Sequence, residues 1–236
     1  MRVDRPRPVL RRWRHKRRCA AVAAHCAGTA LGRCLEQSAR LDIDHLGNTP
    51  IIAADLELTG LDAAANRIIS IGWVLVDNGR VQLGSSRHVL IATQQSVGSS
   101  AAIHELLDNE IAGGITIEDG LEQLFDAAAG RLWVFHHAGL DVAFLRRACE
   151  DWAGVAPPFA VLDTLQIELG LRKRREVPVQ QGDLQLGRLR SLYNLPRYTA
   201  HNAMTDAIAT AELLVAIAAR LEPAGELKLS PYLRFF

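Results

Sequence analysis

The sequence contains no long hydrophobic run and few cysteines. No apolar stretch in its 236 residues approaches the roughly 18 residues that suggest a transmembrane helix. Its four cysteines show no Cys-x-x-Cys spacing, which argues against a zinc site or a dense disulfide framework. Residues 20–31 are only weakly apolar and make a poor secretory signal. We therefore expect a cytoplasmic protein with reduced thiols and no membrane contact.

The net charge of +1 conceals an uneven distribution. Residues 1–18 contain nine Arg or Lys and one Asp, a charge of +8, which leaves 1 − 8 = −7 for the remaining chain. A basic arm of this kind can bind nucleic acid phosphates with a salt-sensitive affinity. It can equally be a solvated, partly disordered leader.

Hydrophobic periodicity predicts an α/β fold with a mixed sheet. Three apolar segments joined by short turns, at 50–55, 67–76 and 81–91, are typical of strands, and Asn78-Gly79 between the last two is a hairpin signal. The later pattern predicts strands at 132–136 and 159–162. It predicts helices at 99–107, 117–129, 140–152, 164–171, 183–193 and 204–221, with one further helix within 20–38.

The most informative residues are acidic and lie near the ends of predicted elements. Asp55 and Glu57 would point to one face of a strand, about 6.6 Å apart at roughly 3.3 Å per residue. Asp141 follows the fourth strand, whose carboxyl end is expected beside that of the first. His201 and Asp206 would point about 140° apart on a helix, so we place His201 in the preceding loop. Four carboxylates and one histidine in this order suit two-metal phosphodiester chemistry.

Each of these residues also has an ordinary structural explanation when taken alone. An Asp-x-Glu tripeptide is a common solvated pair, Asp141 would suit a helix N-terminus, and a lone His201 would be a surface histidine. Gly60 is expected to allow a sharp turn that leaves the backbone N–H groups of residues 59–61 available to a ligand. Ala203 is small, which would keep the backbone close to its neighbours.

Five segments together resemble the DEDDh group of 3′-to-5′ exonucleases, which includes the epsilon proofreading subunit of bacterial DNA polymerase III. The resemblance covers residues 49–220 and keeps the order and spacing of the group's motifs. The segments that carry it are 55–62, 67–72, 136–145, 162–165 and 201–207.

The resemblance implies an RNase H-like fold with a five-stranded mixed sheet whose second strand is antiparallel to the rest. It also implies that His201 deprotonates the attacking water, a role that suits imidazole because it titrates near neutral pH. The implied ligands of two Mg²⁺ or Mn²⁺ ions are Asp55, Glu57, Asp141 and Asp206. The implied nucleotide-binding residues are Leu58, Thr59, Gly60, Leu61 and His137.

Three positions depart from the common pattern of the group. His137 replaces a frequent asparagine, Leu140 replaces a frequent phenylalanine, and Ile103-His104-Glu105 lacks the glycine that commonly follows Ile-His. None of these changes removes a metal ligand. They affect positions where substrate contacts are expected.

We predict a basic extension at 1–47, an exonuclease domain at 48–222 and a short tail at 223–236. The expected reaction releases nucleoside 5′-monophosphates from DNA 3′ ends, and the same reaction on RNA is the nearest alternative. An alternative of another class is a non-catalytic nucleic-acid-binding or polymerase-accessory module, supported by the basic extension and the basic segment 172–175. A DNA polymerase is a candidate partner.

Overall fold

A computed structural model describes residues 8–92, 113–199, 201–223 and 226–236 of the protein, with side chains from Leu10 onward. The predicted helix at 99–107, including Ile103-His104-Glu105, lies outside these ranges. So do the first seven residues of the basic extension. In the part of the chain that the structure describes, no helix combines the length and the hydrophobicity needed to span a membrane.

Within the described residues, an N-terminal pair of helices is followed by three consecutive strands and then by helices interspersed with strands. In chain order they are α1 (Pro8–His25), α2 (Ala30–Arg40), β1 (Ile51–Leu58), β2 (Ile68–Asp77), β3 (Arg80–Leu90), α3 (Ile117–Ala128), β4 (Leu132–Phe135), α4 (Ala138–Ala153), β5 (Ala160–Asp163), α5 (Thr164–Arg174), α6 (Leu186–Leu192), α7 (Ala203–Leu221), a 3₁₀ turn (Ser230–Tyr232) and β6 (Leu233–Phe235). From residue 50 onward, the predicted elements that fall within the described residues are present, with ends that differ by a few residues. The predicted helix at 183–193 is the shorter α6.

The six strands form one mixed sheet in the order β3-β2-β1-β4-β5-β6. Strands β1, β4 and β5 are parallel, and β2 runs antiparallel to β1, as predicted. The predicted count of five strands is wrong, because β6 adds an antiparallel edge strand to β5. Three residues are too few to give a periodic signal, so only the pairing with β5 defines this strand.

Hydrophobic side chains cover both faces of the sheet. On β1, Ile52 and Ala54 pack with residues of α2, α3 and α4, whereas Ile51 and Ala53 pack with residues of α5, α6 and α7. A strand covered on both faces needs a continuous apolar sequence, which explains the run that precedes Asp55. The sheet is therefore the middle layer between two layers of helices.

The N-terminal region forms two helices, and the prediction of one helix within 20–38 is wrong. Gly28 takes a positive φ of 89° between them, and the Thr29 side chain caps α2 by accepting a hydrogen bond from the Gly32 N–H at 3.1 Å. Leu31 and Cys34 of α2 are buried in the same core as β1. A disordered leader is therefore excluded for residues 8–40, while the domain boundary at residue 47 stays a prediction.

Candidate active site

Three carboxylates converge at the carboxyl end of β1. Asp55 and Glu57 lie on the same face of the strand, and Asp206 reaches them from the first turn of α7. One oxygen from each of the three lies within 4.8 Å of the others. Glu57 is buried, and the other two are partly buried. This spacing lets all three side chains contribute ligands to one cation.

Asp141 lies beside this group, in the first turn of α4. It is buried, and its side chain accepts a hydrogen bond from the backbone of Leu56. The parallel pairing of β1 with β4 brings the two carboxyl ends together, as the sequence predicted. Asp141 lies outside the tight group of three, so it is available to a second cation.

Burial raises the pKa values of all four acids, and for Asp55 and Glu57 the charges of neighbouring acids in the group raise them further. Burial raises the pKa of Asp55 well above its usual value, and the charges of Asp141, Asp206 and Glu57 raise it further. Burial, followed by the same kind of repulsion, raises the pKa of Glu57 to about 8. Burial raises the pKa of Asp141 to about 7, against the effect of its backbone hydrogen bonds. Such a cluster holds protons unless cations neutralise it.

His201 and Asp206 occupy different structural settings. Helix α7 begins at Ala203 and is capped by Asn202, whose side chain accepts from the Thr205 N–H at 3.1 Å. His201 precedes the cap, is exposed and has a positive φ of 69°. Its backbone N–H donates to Oδ2 of Asp206 at 2.9 Å. The structure thus places His201 in the loop and Asp206 in the helix, as predicted from their spacing.

The start of α7 rests directly on β2 at Gly72. This glycine pairs with Asp55 across the two strands, and a Cβ atom at this position would collide with the backbone of Ala203 and Met204. Ala203 is fully buried there, in agreement with the close approach expected for a small residue. Gly72 therefore allows α7 to bring Asp206 up to Asp55.

Comparison with known families agrees with this geometry. Residues 52–214 match the family model described as exonuclease, of the RNase T type. The chain belongs to this exonuclease family. It is 27% identical over 184 residues to a PolC-type DNA polymerase III from Thermotoga petrophila, covering 78% of the chain and 13% of that protein. It is 26% identical over 171 residues to the 3′-5′ exonuclease DinG of Staphylococcus haemolyticus, covering 72% and 18%. The chain thus spans under a fifth of either relative.

Solved exonuclease structures share the fold. The nuclease domain of 3′hExo, a DEDDh family member bound to rAMP, superposes with a TM-score of 0.61 at 15% identity, over 76% of this chain and 95% of that domain. Exonuclease X in complex with 5′ overhanging duplex DNA superposes with a TM-score of 0.55 at 22% identity, over 74% and 93%. At these identities the likeness defines the RNase H-like fold, and the fold prediction is confirmed apart from the strand count.

In this exonuclease domain, the predicted nucleotide-binding segment 58–61 differs from expectation in its backbone. The Thr59 N–H donates to the carbonyl oxygen of Arg67 at 3.0 Å, so the prediction that it is available to a ligand is wrong. Gly60 does not adopt a positive φ, and a Cβ atom there would collide with the Asn66 side chain. Leu58 is buried, whereas Leu61 is 81% exposed. Of these side chains, Leu61 is the one best placed to contact a nucleotide.

The two adjacent histidines have separate roles. His136 bridges two elements, because Nδ1 lies 2.8 Å from Oγ1 of Thr164 and Nε2 donates to the carbonyl oxygen of Leu184 at 2.9 Å. Burial lowers the pKa of His136. His137 is exposed and caps α4 with a φ of 71°, and its N–H donates to Asp163 at 3.2 Å. His137 is therefore the more exposed of the two histidines.

A groove of about 940 Å³ continues from Asp206 between α6 and the residues Arg197, Tyr198 and His201. Residues 58–61 do not line it. Among the residues that do are His137, Gln185, Arg188, Arg190, Arg197 and Tyr198. Of these six residues, His137 was predicted from the sequence and the other five were not.

Arg190 forms a clasp at the wall of this groove. It is only 2% exposed, donates to the carbonyl oxygens of Pro196 and Ala209, each at 2.9 Å, and lies 2.8 Å from a carboxylate oxygen of Glu212. Tyr198 donates to the same carboxylate at 3.0 Å, and its ring centroid lies 4.3 Å from the guanidinium carbon. The clasp fixes the segment before His201 onto α7. Sequence periodicity could not reveal it, because the Arg190 partners are 6 to 22 residues away.

Proposed function

We propose that this protein is a metal-dependent exonuclease that removes nucleoside 5′-monophosphates from DNA 3′ ends. The observation that carries the proposal is the convergence of Asp55, Glu57 and Asp206, with buried Asp141 beside them. Among the described residues, Asp55, Asp141 and Asp206 form no ion pair with Lys or Arg, so structural salt bridges do not explain why these three acids converge. Elevated pKa values of this kind are expected for side chains that bind cations.

The donor set fits Mg²⁺ or Mn²⁺. Hard divalent cations prefer carboxylate oxygens, and the three converging side chains supply only such ligands. Asp55 would contact both of two ions, Glu57 and Asp206 would complete one site, and Asp141 would serve the other. When bound, the ions would offset charge on the phosphate and generate a hydroxide nucleophile near neutral pH.

His201 is proposed to accept the proton of the attacking water. The 2.9 Å hydrogen bond holds the backbone of His201 against Asp206. This exposed residue is therefore next to the carboxylate cluster. The clasp of Arg190 anchors the preceding chain at Pro196. Exposed Leu61, four residues after Glu57, is proposed to contact the terminal base.

DNA is the favoured substrate class. A sequence relative is named as a PolC-type DNA polymerase III, and one structural neighbour is a complex of Exonuclease X with duplex DNA. RNA is the second candidate, because another neighbour, 3′hExo, is bound to rAMP. A DNA polymerase stays a proposed partner. A purely non-catalytic module is disfavoured, because all five expected catalytic positions are filled.

A degradation panel tests the proposal. Wild-type protein would be incubated with 5′-labelled single-stranded DNA, mispaired duplex DNA and short RNA, with Mg²⁺, Mn²⁺ or excess chelator. We expect a ladder that shortens from the 3′ end only when metal is present, with DNA degraded faster than RNA. Asp55→Asn should abolish the ladder, whereas Glu150→Gln, an exposed acid on α4, should not. Full activity in chelator would overturn the metal-dependent mechanism. Faster degradation of RNA than of DNA would make RNA the substrate class in place of DNA.

A further inference from the structure

The groove beside the carboxylates carries positive charge on a domain that is otherwise acidic. Arg188 and Arg197 are exposed and line it, and neither forms an ion pair with any acid in the described ranges. Residues 19–236 as a whole have 18 basic and 25 acidic side chains, a net charge of −7. Two exposed guanidinium groups beside a proposed phosphodiesterase site are suited to contact phosphates.

Tyr198 provides a rigid aromatic surface in the same groove. Its side chain is 41% exposed although the hydroxyl is held by Glu212 at 3.0 Å and the Arg190 guanidinium lies 4.3 Å from the ring centroid. These contacts fix the orientation of the ring before any ligand binds. A fixed, exposed ring can stack on a nucleobase without a large loss of side-chain entropy.

The position of the groove indicates which part of a strand it would take. Residues 58–61, four of the five expected nucleotide-binding residues, do not line it, whereas His137, His201 and Asp206 do. The groove therefore begins at the proposed cleavage point and leads away from residues 58–61. A volume of about 940 Å³ is at the upper end of the range for small-molecule pockets, and the groove can receive more than one nucleotide.

We propose that this groove binds the substrate strand on the 5′ side of the scissile phosphate, with Tyr198 stacked on a base and Arg188 and Arg197 contacting phosphates. The ligand class is single-stranded nucleic acid. The inference rests on the proposed exonuclease function, which places the scissile phosphate at the four acids.

The test compares two substrates that differ only in the presence of that strand. One is a single-stranded ten-nucleotide DNA, and the other is the p-nitrophenyl ester of thymidine 5′-phosphate, in which nitrophenyl replaces everything on the 5′ side. The variants are Arg188→Glu/Arg197→Glu, Tyr198→Ala and Tyr198→Phe. Arg80→Glu is the control, because Arg80 is exposed in the β2–β3 hairpin, at the opposite end of these strands from Asp55.

For the double charge reversal, we expect kcat/KM on the ten-nucleotide strand to fall at least tenfold more than on the nitrophenyl ester. The dependence of strand binding on salt should also become shallower, by about 0.7 in logarithmic slope for each lost phosphate contact. Tyr198→Ala should weaken strand binding by about tenfold, and Tyr198→Phe should recover most of that loss because it keeps the ring. Arg80→Glu should match wild type on both substrates.

Equal losses on both substrates would show that the variants damage the site or the fold, and would overturn the groove proposal. Strand binding at wild-type level in the double variant would overturn it as well. Failure of the exonuclease proposal is distinguishable, because wild-type protein would then hydrolyse neither substrate with metal present.

Discussion

Gly72 of β2 lies directly against the backbone of Ala203, the first residue of α7. The same glycine pairs with Asp55 on β1. One close contact therefore links the strand that carries Asp55 to the helix that carries Asp206. No side chain other than hydrogen fits at residue 72 without moving the helix.

Gly72→Ala should displace the start of α7 and separate Asp206 from Asp55. Because an added methyl group overpacks a tight contact, we expect a loss of about 1–3 kcal/mol in the free energy of unfolding. Exonuclease activity should fall more than this loss of stability explains, since the metal ligands move apart. Urea unfolding and oligonucleotide hydrolysis at increasing Mn²⁺ would measure the two effects.

Gly84→Ala is the matched control for this substitution. Gly84 lies in β3, has no positive φ, and a Cβ atom there would have no neighbour within 4 Å. We expect this variant to retain activity and stability. If Gly72→Ala behaved in the same way, the contact with Ala203 would not position the helix.

Asp206→Asn should remove a metal ligand while keeping the shape of the side chain. Mutation of a residue that hydrogen-bonds a metal ligand typically lowers activity by roughly 10- to 100-fold. We expect the loss of Asp206 itself to lower the rate of hydrolysis by more than this. The rise in unfolding temperature that Mn²⁺ causes in the wild-type protein should also shrink. Differential scanning fluorimetry with and without Mn²⁺ would measure it, with Glu150→Gln as the control. An undiminished Mn²⁺ response would exclude Asp206 as a ligand.

The carboxylate cluster should make the metal-free protein less stable as pH rises. Glu57 and Asp141 have folded-state pKa values of about 8 and about 7, above their ordinary carboxyl values. A group whose pKa is raised on folding stabilises the fold below its unfolded pKa and loses that contribution as pH rises through the folded pKa. In chelator, the unfolding temperature should therefore fall through the neutral range.

Metal should reverse this pH trend, because cations compete with the protons of the cluster. The increase in unfolding temperature on adding Mg²⁺ should be larger at pH 8.5 than at pH 6. Glu57→Gln should flatten the fall seen in chelator. A metal-free protein with constant stability over this range would contradict the elevated pKa values.

Arg190→Met should break the clasp and leave Glu212 without its cationic partner. Removing one member of a buried ion pair costs about 3–5 kcal/mol, and the partial exposure of Glu212 places this case at the lower end. Arg190→Lys keeps the charge but lacks the planar group that reaches both carbonyl oxygens, so kcat should still decrease. A double-mutant cycle with Glu212→Gln in urea would isolate the pair. Additive effects would show that the two side chains do not interact.

Substitutions on the exposed face of α1 test whether the basic extension binds phosphates more directly than a deletion of residues 2–18 would. Removing residues 2–18 would also remove buried His15 and expose core residues. Arg14→Gln/Arg18→Gln changes two exposed side chains instead. If α1 contacts phosphates, the salt dependence of DNA binding should become shallower. Helix α1 contacts Phe235 near the amino end of β5, far from the site, so kcat should not change. An unchanged salt dependence would exclude the arm as a phosphate anchor.

The sequence alone was sufficient for the order of the described strands and helices from β1 to α7 and for the identity of the acidic cluster. Apolar periodicity and the Asn78-Gly79 turn are local signals, and both residues adopt the positive φ values that such a hairpin requires. The five-residue spacing of His201 and Asp206 was also enough to separate loop from helix. These properties depend on residues that are close together in the sequence. They can therefore be predicted from the sequence.

The tertiary structure decided the contacts between distant segments. The pairing of β6 with β5, the burial of α2, the approach of Ala203 to Gly72 and the clasp of Arg190 each join residues with no common local pattern. Asp55, Glu57 and Asp206 converge because Gly72 lets α7 approach the sheet beside β1, and the parallel pairing of β1 with β4 places Asp141 next to them. The sequence specifies which residues form the candidate site. The distances between them depend on packing, because the side chains that pack together meet only in the folded chain.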